Sequence, residues 1–384
     1  MSIERTVNDP RPLRVLMIGD FPAALDRPHG GVEAVTRNLA FGLAEAGVEL
    51  TMVRFGNANP PEPTGALPFD VIDLARHRPG NFGNWLLTPR DVEKIVAERK
   101  PDVVHLQGTS ELYRGSNPPS VLTVHGVPYK DATHGGGLLR RFIQPLILRA
   151  TFEESIRNHA HVISINPMVQ DELGARPHLR FFDIPNPVED HFFEIERVPT
   201  AGHLLYVGVL HPRKNIEGLI EAAADAKSQG ADLTLRLAGP FLDGYETAIR
   251  DCIDRTGMQD SVELLGSLTR AEVGDELSRC SALALASFQE TAPMAIAEAM
   301  AAGVPVISTL AGGIGSMLDH DRTGMTSPVG DMKTFARNIT AVLTDDAKRD
   351  AIGHTARAAA EDNYRLARIV ERTCDVYRAA IGGD

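Results

Sequence analysis

The chain has 384 residues, 43% of them apolar, and a formal net charge of −12; this length suits two domains of about 150–200 residues each. The acidic balance argues against a generic nucleic-acid surface and leaves local basic patches as the places to look for a phosphate ligand. Three scattered cysteines without CxxC spacing exclude a disulfide framework or zinc knuckle, and no run reaches the roughly 18–20 apolar residues of a membrane span, so a cytoplasmic chain with at most peripheral membrane association is expected.

Short apolar runs alternate with helix-period segments along the whole chain. Strands are predicted at 13–18 (LRVLMI), 48–54, 102–106 (DVVHL), 121–124 (VLTV), 162–165 (VISI) and 181–184. A second series follows at 204–210 (LLYVGVL), 234–239 (TLRLAG), 262–265 (VELL), 282–286 (ALALA) and 304–308 (VPVIS). These runs lack in/out alternation, as strands buried on both faces do in a parallel sheet covered by helices. Alternation of strand and helix predicts doubly wound α/β domains. The proline- and charge-rich stretch 185–202, "PNPVEDHFFEIERVPTAG", reads as the linker between them. The tail "NYRLARIVERTCDVYRAAI" reads as a helix with Ile369, Cys374 and Tyr377 on or near its buried side. Ligands of open α/β sheets bind outside the carboxyl ends of the strands, so strand exits are where function is sought.

Four segments at such exits hold chemistry. In "HGGVEAVTRNLAFGLAEAG", Gly30 and Gly31 open a helix whose stripe is Val32, Val35, Leu39 and Leu43. Free amides and the positive dipole end favour an anion there, although a plain glycine turn has the same spelling. The dinucleotide fingerprint GxGxxG is absent, which weakens a nicotinamide enzyme. His125 follows the strand 121–124 directly; a structural histidine and a functional one are both open. Arg213 and Lys214 sit in "LHPRKN", just before a helix begins at Asn215. Cations at a helix N-terminus oppose its dipole unless an anion such as a diphosphate lies between them; the plain alternative is a solvated pair.

The fourth segment is "FQETAPMAIAEAMAAGVPVIS", with seven residues between Glu290 and Glu298. Glu290 falls on the loop after a buried strand. Glu298 falls inside the next helix, with the amides of Met294 and Ala295 between them. Carboxylate, anion-binding amides and carboxylate match the order of sugar, phosphate and ribose in a nucleotide-sugar, and carboxylates accept well from vicinal hydroxyls. An acid at the helix N-terminus plus a partly exposed Glu is the alternative. "DHD" at 319–321 resembles an Asp-x-Asp metal motif, but three residues match cheaply among 51 acids, and no metal is expected. The segment 138–150, "LLRRFIQPLILRA", mixes arginine with apolar residues, but Pro145 interrupts it, and weak or no lipid binding is expected.

Gly30–Gly31, "PDVVHLQG", "TVHG", "YVGVLHPRKN", "ETAPMAIAEAMAAGVPVIS" and "GGIGSMLDHDRTG", in this order, resemble the retaining glycosyltransferases of family GT4, which have the GT-B fold. The resemblance runs from about residue 13 to the end. It implies two Rossmann-like domains, 1–190 for the acceptor and 191–363 for the nucleotide-sugar, an interdomain cleft, and a C-terminal helix, 364–384, returning to the N-terminal domain. It further implies that Glu290 holds donor-sugar hydroxyls, Glu298 the ribose, and Lys214 with Arg213 the diphosphate. Gly30 and Gly31 would approach the phosphate, His125 the sugar near the reacting carbon, and the backbone at Gly266 and Leu268 the base. The implied reaction moves a sugar from a nucleoside diphosphate donor to a hydroxyl of a glycan, lipid-linked or small-molecule acceptor, without a metal or other cofactor. Four positions depart from the family pattern: Val209 for arginine, Pro293 for glycine, Ser316 for an acid and Gln107 for histidine. The rival readings are a GT-B epimerase or phosphorylase and an inactive nucleotide-sugar binding protein.

Overall fold

Both faces of the first strand, β1 (Arg14–Gly19), are buried, and this decides the architecture around it. Val15 and Met17 pack into one apolar cluster with Leu39 and Leu43, while Leu16 and Ile18 pack into another with Val92 and Val104. Successive side chains of a strand point to opposite faces, so a strand apolar at every position needs cover on both sides. A computed structural model describes residues 11–28, 30–56, 67–75, 82–108, 110–126, 146, 148–150 and 152–383. The chain divides into two compact units, Met1–Pro187 together with Leu366–Asp384, and Val188–Arg365.

In the first unit β1 is followed by α1 (Gly31–Glu45), β2 (Glu49–Gly56), β3 (Asp70–Ala75), α2 (Phe82–Arg99), β4 (Val103–Gln107), β5 (Ser120–Val124), β6 (His161–Ser164), α3 (Pro167–Leu173) and β7 (Arg180–Asp183). The sheet order is β3-β2-β1-β4-β5-β6-β7 and every pairing is parallel. The order reverses between β1 and β4, with Val15 paired to Leu50 on one side and to Val103 on the other. Strand β3 escaped the reading from sequence. It is an edge strand with acids at Asp70 and Asp73, and Asp73 is the partner of the buried Arg54 guanidinium, with Arg54 Nη2 donating at 3.2 Å.

The second unit begins with α4 (Asp190–Phe193), then β8 (His203–Val207), α5 (Ile216–Ser228), β9 (Thr234–Ala238), α6 (Glu246–Thr256), β10 (Val262–Gly266) and α7 (Arg270–Arg279). It continues with β11 (Ala282–Leu285), α8 (Met294–Ala301), β12 (Val306–Thr309), β13 (Met325–Ser327), α9 (Met332–Thr344) and α10 (Asp346–Tyr364). Its sheet runs β10-β9-β8-β11-β12-β13, again parallel throughout. The predicted run 204–210 overshoots: the strand ends at Val207 because Gly208 takes φ +150°. The predicted run 304–308 starts two residues too early: the strand is Val306–Thr309, because Pro305 has no N–H for the ladder, although its carbonyl accepts from Leu283 at 2.9 Å. Strand β13, three residues long, carried no readable pattern.

The stretch 185–202 is not a free linker. From Val188 onward it belongs to the second unit, where Phe192 and Phe193 are fully buried and the Arg365 guanidinium lies 3.9 Å from the Phe193 ring centroid. Two adjacent aromatics outweigh the surrounding charge and proline. The last helix, α11 (Leu366–Gly382), belongs to the first unit, where Ile369, Cys374 and Tyr377 join the same cluster as Val15 and Met17. Among the described residues no helix is long and apolar enough to cross a membrane. Most of the segment 138–150 lies outside the described residues.

Candidate active site

The exit of β8 forms a tight basic turn. Pro212–Lys214 make one 3-10 turn, and the His211 ring accepts the Arg213 amide at Nδ1, 2.9 Å away. Asn215 takes the left-handed conformation, φ 54°, to turn the chain into α5. This local cap directs Arg213 and Lys214 to the carboxyl edge of the sheet. Val209, beside the turn, has its carbonyl held by the Tyr206 hydroxyl at 3.0 Å. Tyr206 is fully buried, and burial, then the nearby Glu290 charge, push its phenol well above the usual value.

Glu290 stands on the loop after β11 with only 5% of its surface exposed. Its carboxylate is ion-paired with the Lys214 ammonium and accepts the Ser287 hydroxyl at 2.7 Å. Ser287 in turn is fixed by its carbonyl, which accepts from Thr309 Oγ1 at 2.6 Å. The backbone of Glu290 is held as tightly: its carbonyl accepts from Gly313 N at 3.0 Å, and a Cβ on Gly312 would lie 2.0 Å from that same oxygen. Gly312 also has φ +55°, so the "GG" after β12 is what lets two strand-exit loops meet.

Glu298 lies inside α8 and is also buried, at 6%. An oxygen of it lies 3.3 Å from Arg270 Nη2 of α7, and Arg270 also pairs with Glu189 at 2.5 Å. The Arg270 guanidinium sits 5.1 Å from the Phe192 ring centroid, so α4 helps to orient it. Burial raises the Glu298 carboxyl above its usual range, and Arg270 opposes that rise. The expected alternative of a partly exposed Glu is therefore corrected. α8 itself begins at Met294 after Pro293, with no side-chain cap, so Met294 and Ala295 stand where helix amides are free. Gly266 ends β10 with φ +67°, and its carbonyl accepts from Gly239 N at 2.8 Å; Leu268 follows, partly buried.

Three expected residues belong to the other unit. Gly30 caps α1 with extended backbone, and nothing lies within 4 Å of the place where its Cβ would be. Gly31 is the exposed first residue of that helix. His125 is half-buried after β5, and its Nε2 lies 2.6 Å from Gln107 Oε1. Gln107 Nε2 lies 3.2 Å from His105 Nε2, which is also 2.7 Å from Thr123 Oγ1, and His105 Nδ1 is 2.6 Å from the Tyr377 hydroxyl of α11. Burial lowers His125 to about 4 and, with the His125 charge adding to it, His105 to about 3.

Lys214 and Glu290, read separately from sequence, are thus direct partners, whereas Glu298 is held by a different cation. Sequence reasoning missed Ser287, Arg270, Glu189, His105 and Tyr377. Only His211 carried a signal, as the residue ahead of Pro-Arg-Lys at a strand exit. The "DHD" acids are spoken for by cations: Asp319 pairs with Arg322 at 2.7 Å and Asp321 with Lys348 at 2.6 Å.

Residues 188–359 match the family described as glycosyl transferases group 1, and residues 29–192 match glycosyltransferase family 4. The chain is built of a glycosyltransferase family 4 domain followed by a glycosyl transferases group 1 domain. A curated relative, the D-inositol 3-phosphate glycosyltransferase of Pseudarthrobacter chlorophenolicus, is 29% identical over 185 residues, 48% of this chain and 44% of the relative. The chain thus matches between 36% and 46% of the length of the first curated relatives. Two solved structures share the fold over almost the whole of this chain. Sucrose-phosphate synthase of Thermosynechococcus elongatus has a TM-score of 0.81 at 20% identity, covering 97% of this chain and all of that one. Anabaena Alr3699/HepE, in complex with UDP and glucose, has a TM-score of 0.74 at 20% identity, covering 96% and 100%.

Proposed function

We propose that this chain is a retaining glycosyltransferase that moves a sugar from a nucleoside diphosphate donor to a hydroxyl acceptor. The observation that carries this reading is the buried Lys214–Glu290 pair at a strand exit, one element before the uncapped start of α8. A buried carboxylate is costly without a partner. Here a cation, a carboxylate and free amides gather where a diphosphate and sugar hydroxyls would satisfy all three. The complexes of Anabaena Alr3699/HepE with UDP and with UDP-glucose support the donor class.

In this proposal Lys214 and Arg213 neutralise the diphosphate, joined by the amides of Met294 and Ala295. Glu290 accepts from the sugar hydroxyls, Glu298 from the ribose, and the backbone around Gly266 and Leu268 borders the base. In the first unit the proposed contacts to the donor are His125, to the sugar, and Gly30 and Gly31, to the phosphate. Catalysis then rests on charges already in place for the leaving diphosphate, which is electrostatic preorganisation. The bond from the anomeric carbon to the phosphate oxygen breaks, the acceptor oxygen bonds to that carbon on the same face, and the departing phosphate takes the acceptor proton. Side-chain cations take the place a metal would have.

A thermal-shift panel of UDP, GDP, ADP and TDP sugars tests the donor class. A matching donor at 100 times its Kd stabilises by about 2.7 kcal/mol. A stabilising member is expected, and no shift from any member refutes the proposal.

A further inference from the structure

Gln107 sits at the junction of two elements that the donor contacts leave unexplained. It ends β4 and is fully buried, with its amide between His125 and His105. Gly19, at the end of β1, makes room for it: a Cβ there would lie 2.6 Å from Gln107 Cβ. The amide is therefore packed as well as hydrogen-bonded.

Its orientation dictates where protons sit. His105 is fully buried and His125 half-buried, and burial lowers both so that they are neutral near pH 7, each with one N–H and one lone pair. Gln107 turns its NH2 toward His105 Nε2, so that nitrogen accepts, its one lone pair shared with the Thr123 hydroxyl 2.7 Å away. His105 then has its proton on Nδ1 and donates to the Tyr377 hydroxyl. At the other end Gln107 Oε1 can only accept, so His125 has its proton on Nε2. Among the described residues no hydrogen bond reaches His125 Nδ1.

We propose that Gln107 is a positioning residue for His125: anchored through His105 to Tyr377 of α11, it holds the imidazole in the Nε2–H form and presents Nδ1 as an acceptor for a sugar hydroxyl. The last clause rests on the proposed function; the tautomer does not. The relay has two self-consistent directions; the orientation of the Gln107 amide selects this one, and the Tyr377 hydroxyl, able to donate or accept, takes the acceptor role toward His105 Nδ1–H. Without that acceptor His105 would move its proton to Nε2, facing Thr123. The Gln107 amide would then have to turn its oxygen to His105, and its NH2 would force the His125 proton onto Nδ1.

The experiment is long-range 1H–15N correlation on histidine-labelled protein without donor, with the His125 signal assigned through His125→Asn. In wild type, a protonated Nε2 and a bare Nδ1 are expected; a proton on Nδ1 overturns the proposal whether or not the chain transfers sugars. Tyr377→Phe should move His125 toward the Nδ1–H form, a change that a mere packing role would not produce; a His125 signal identical to wild type overturns the relay. Gln107→Leu should abolish the tautomer preference. It should also slow transfer by about tenfold, the loss expected when one hydrogen bond to the sugar is misdirected, with the Kd for free nucleoside diphosphate unchanged. An unchanged rate and tautomer in that variant would equally overturn it.

Discussion

Replacing Glu290 by alanine should separate nucleotide binding from transfer. In the structure its carboxylate, 7% exposed, is the partner of Lys214, whose side chain is 17% exposed. Truncating one member of a buried pair leaves the other charge uncompensated, at about 3–5 kcal/mol. Lys214 keeps some water, so the low end of that range, about 3 kcal/mol, is expected for the nucleotide-free protein. The same change releases the ammonium from its internal partner. A diphosphate then no longer competes with Glu290 for Lys214, so Glu290→Ala should bind free nucleoside diphosphate at least as tightly as wild type while losing transfer. Lys214→Ala should behave oppositely, weakening the nucleoside diphosphate by about 2–5 kcal/mol, or from about thirtyfold to a few thousandfold. Calorimetry with the nucleoside diphosphate alone, beside urea denaturation of each variant, reads both effects. If Glu290→Ala loses the nucleotide, or Lys214→Ala binds it like wild type, the assignment of Lys214 to phosphate and Glu290 to sugar is wrong.

Arg270→Ala leaves Glu298 and Glu189 without their shared cation and should cost about 3–5 kcal/mol in urea denaturation; an unchanged midpoint contradicts this. Stability should fall as pH drops below the ordinary histidine value of 6.5, because the folded chain holds His105 at about 3 and His125 at about 4 while the unfolded chain takes up those protons. The stabilising contribution is complete above 6.5 and declines by up to about 1.4 kcal/mol per pH unit per histidine towards 4; a His105→Asn protein with the same pH slope as wild type would refute it. Transfer should persist in excess EDTA, and loss of activity restored only by Mg2+ or Mn2+ would show that the cations of the turn are not sufficient.

The strands that position the site were legible because burial on both faces leaves an unbroken apolar run, as in Val15–Ile18 and Ala282–Leu285. The edges were not: β3 has Asp70 and Asp73 in its short run, and β13 is too short to show any period. Phe192 and Phe193 were hidden by the prolines and acids around them, which read as linker although the rings are core. At the site, the spacing of Glu290 and Glu298 was visible, but not what holds them. Lys214 is 76 residues from Glu290 and Arg270 is 28 from Glu298, separations at which sequence has no geometric signal. The four-membered relay of His125, Gln107, His105 and Tyr377 is more distant still, since its last bond spans 272 residues. Gln107 looked like a departure from the family pattern; in the folded chain its amide is the group that gives the relay a direction.

The most direct test of the central claim is the anomeric configuration of the glycoside formed from the stabilising donor, read by proton NMR. The account predicts the configuration of the donor, together with stoichiometric release of nucleoside diphosphate and loss of both in Lys214→Ala. An inverted product, or no release from a donor that binds, would contradict it.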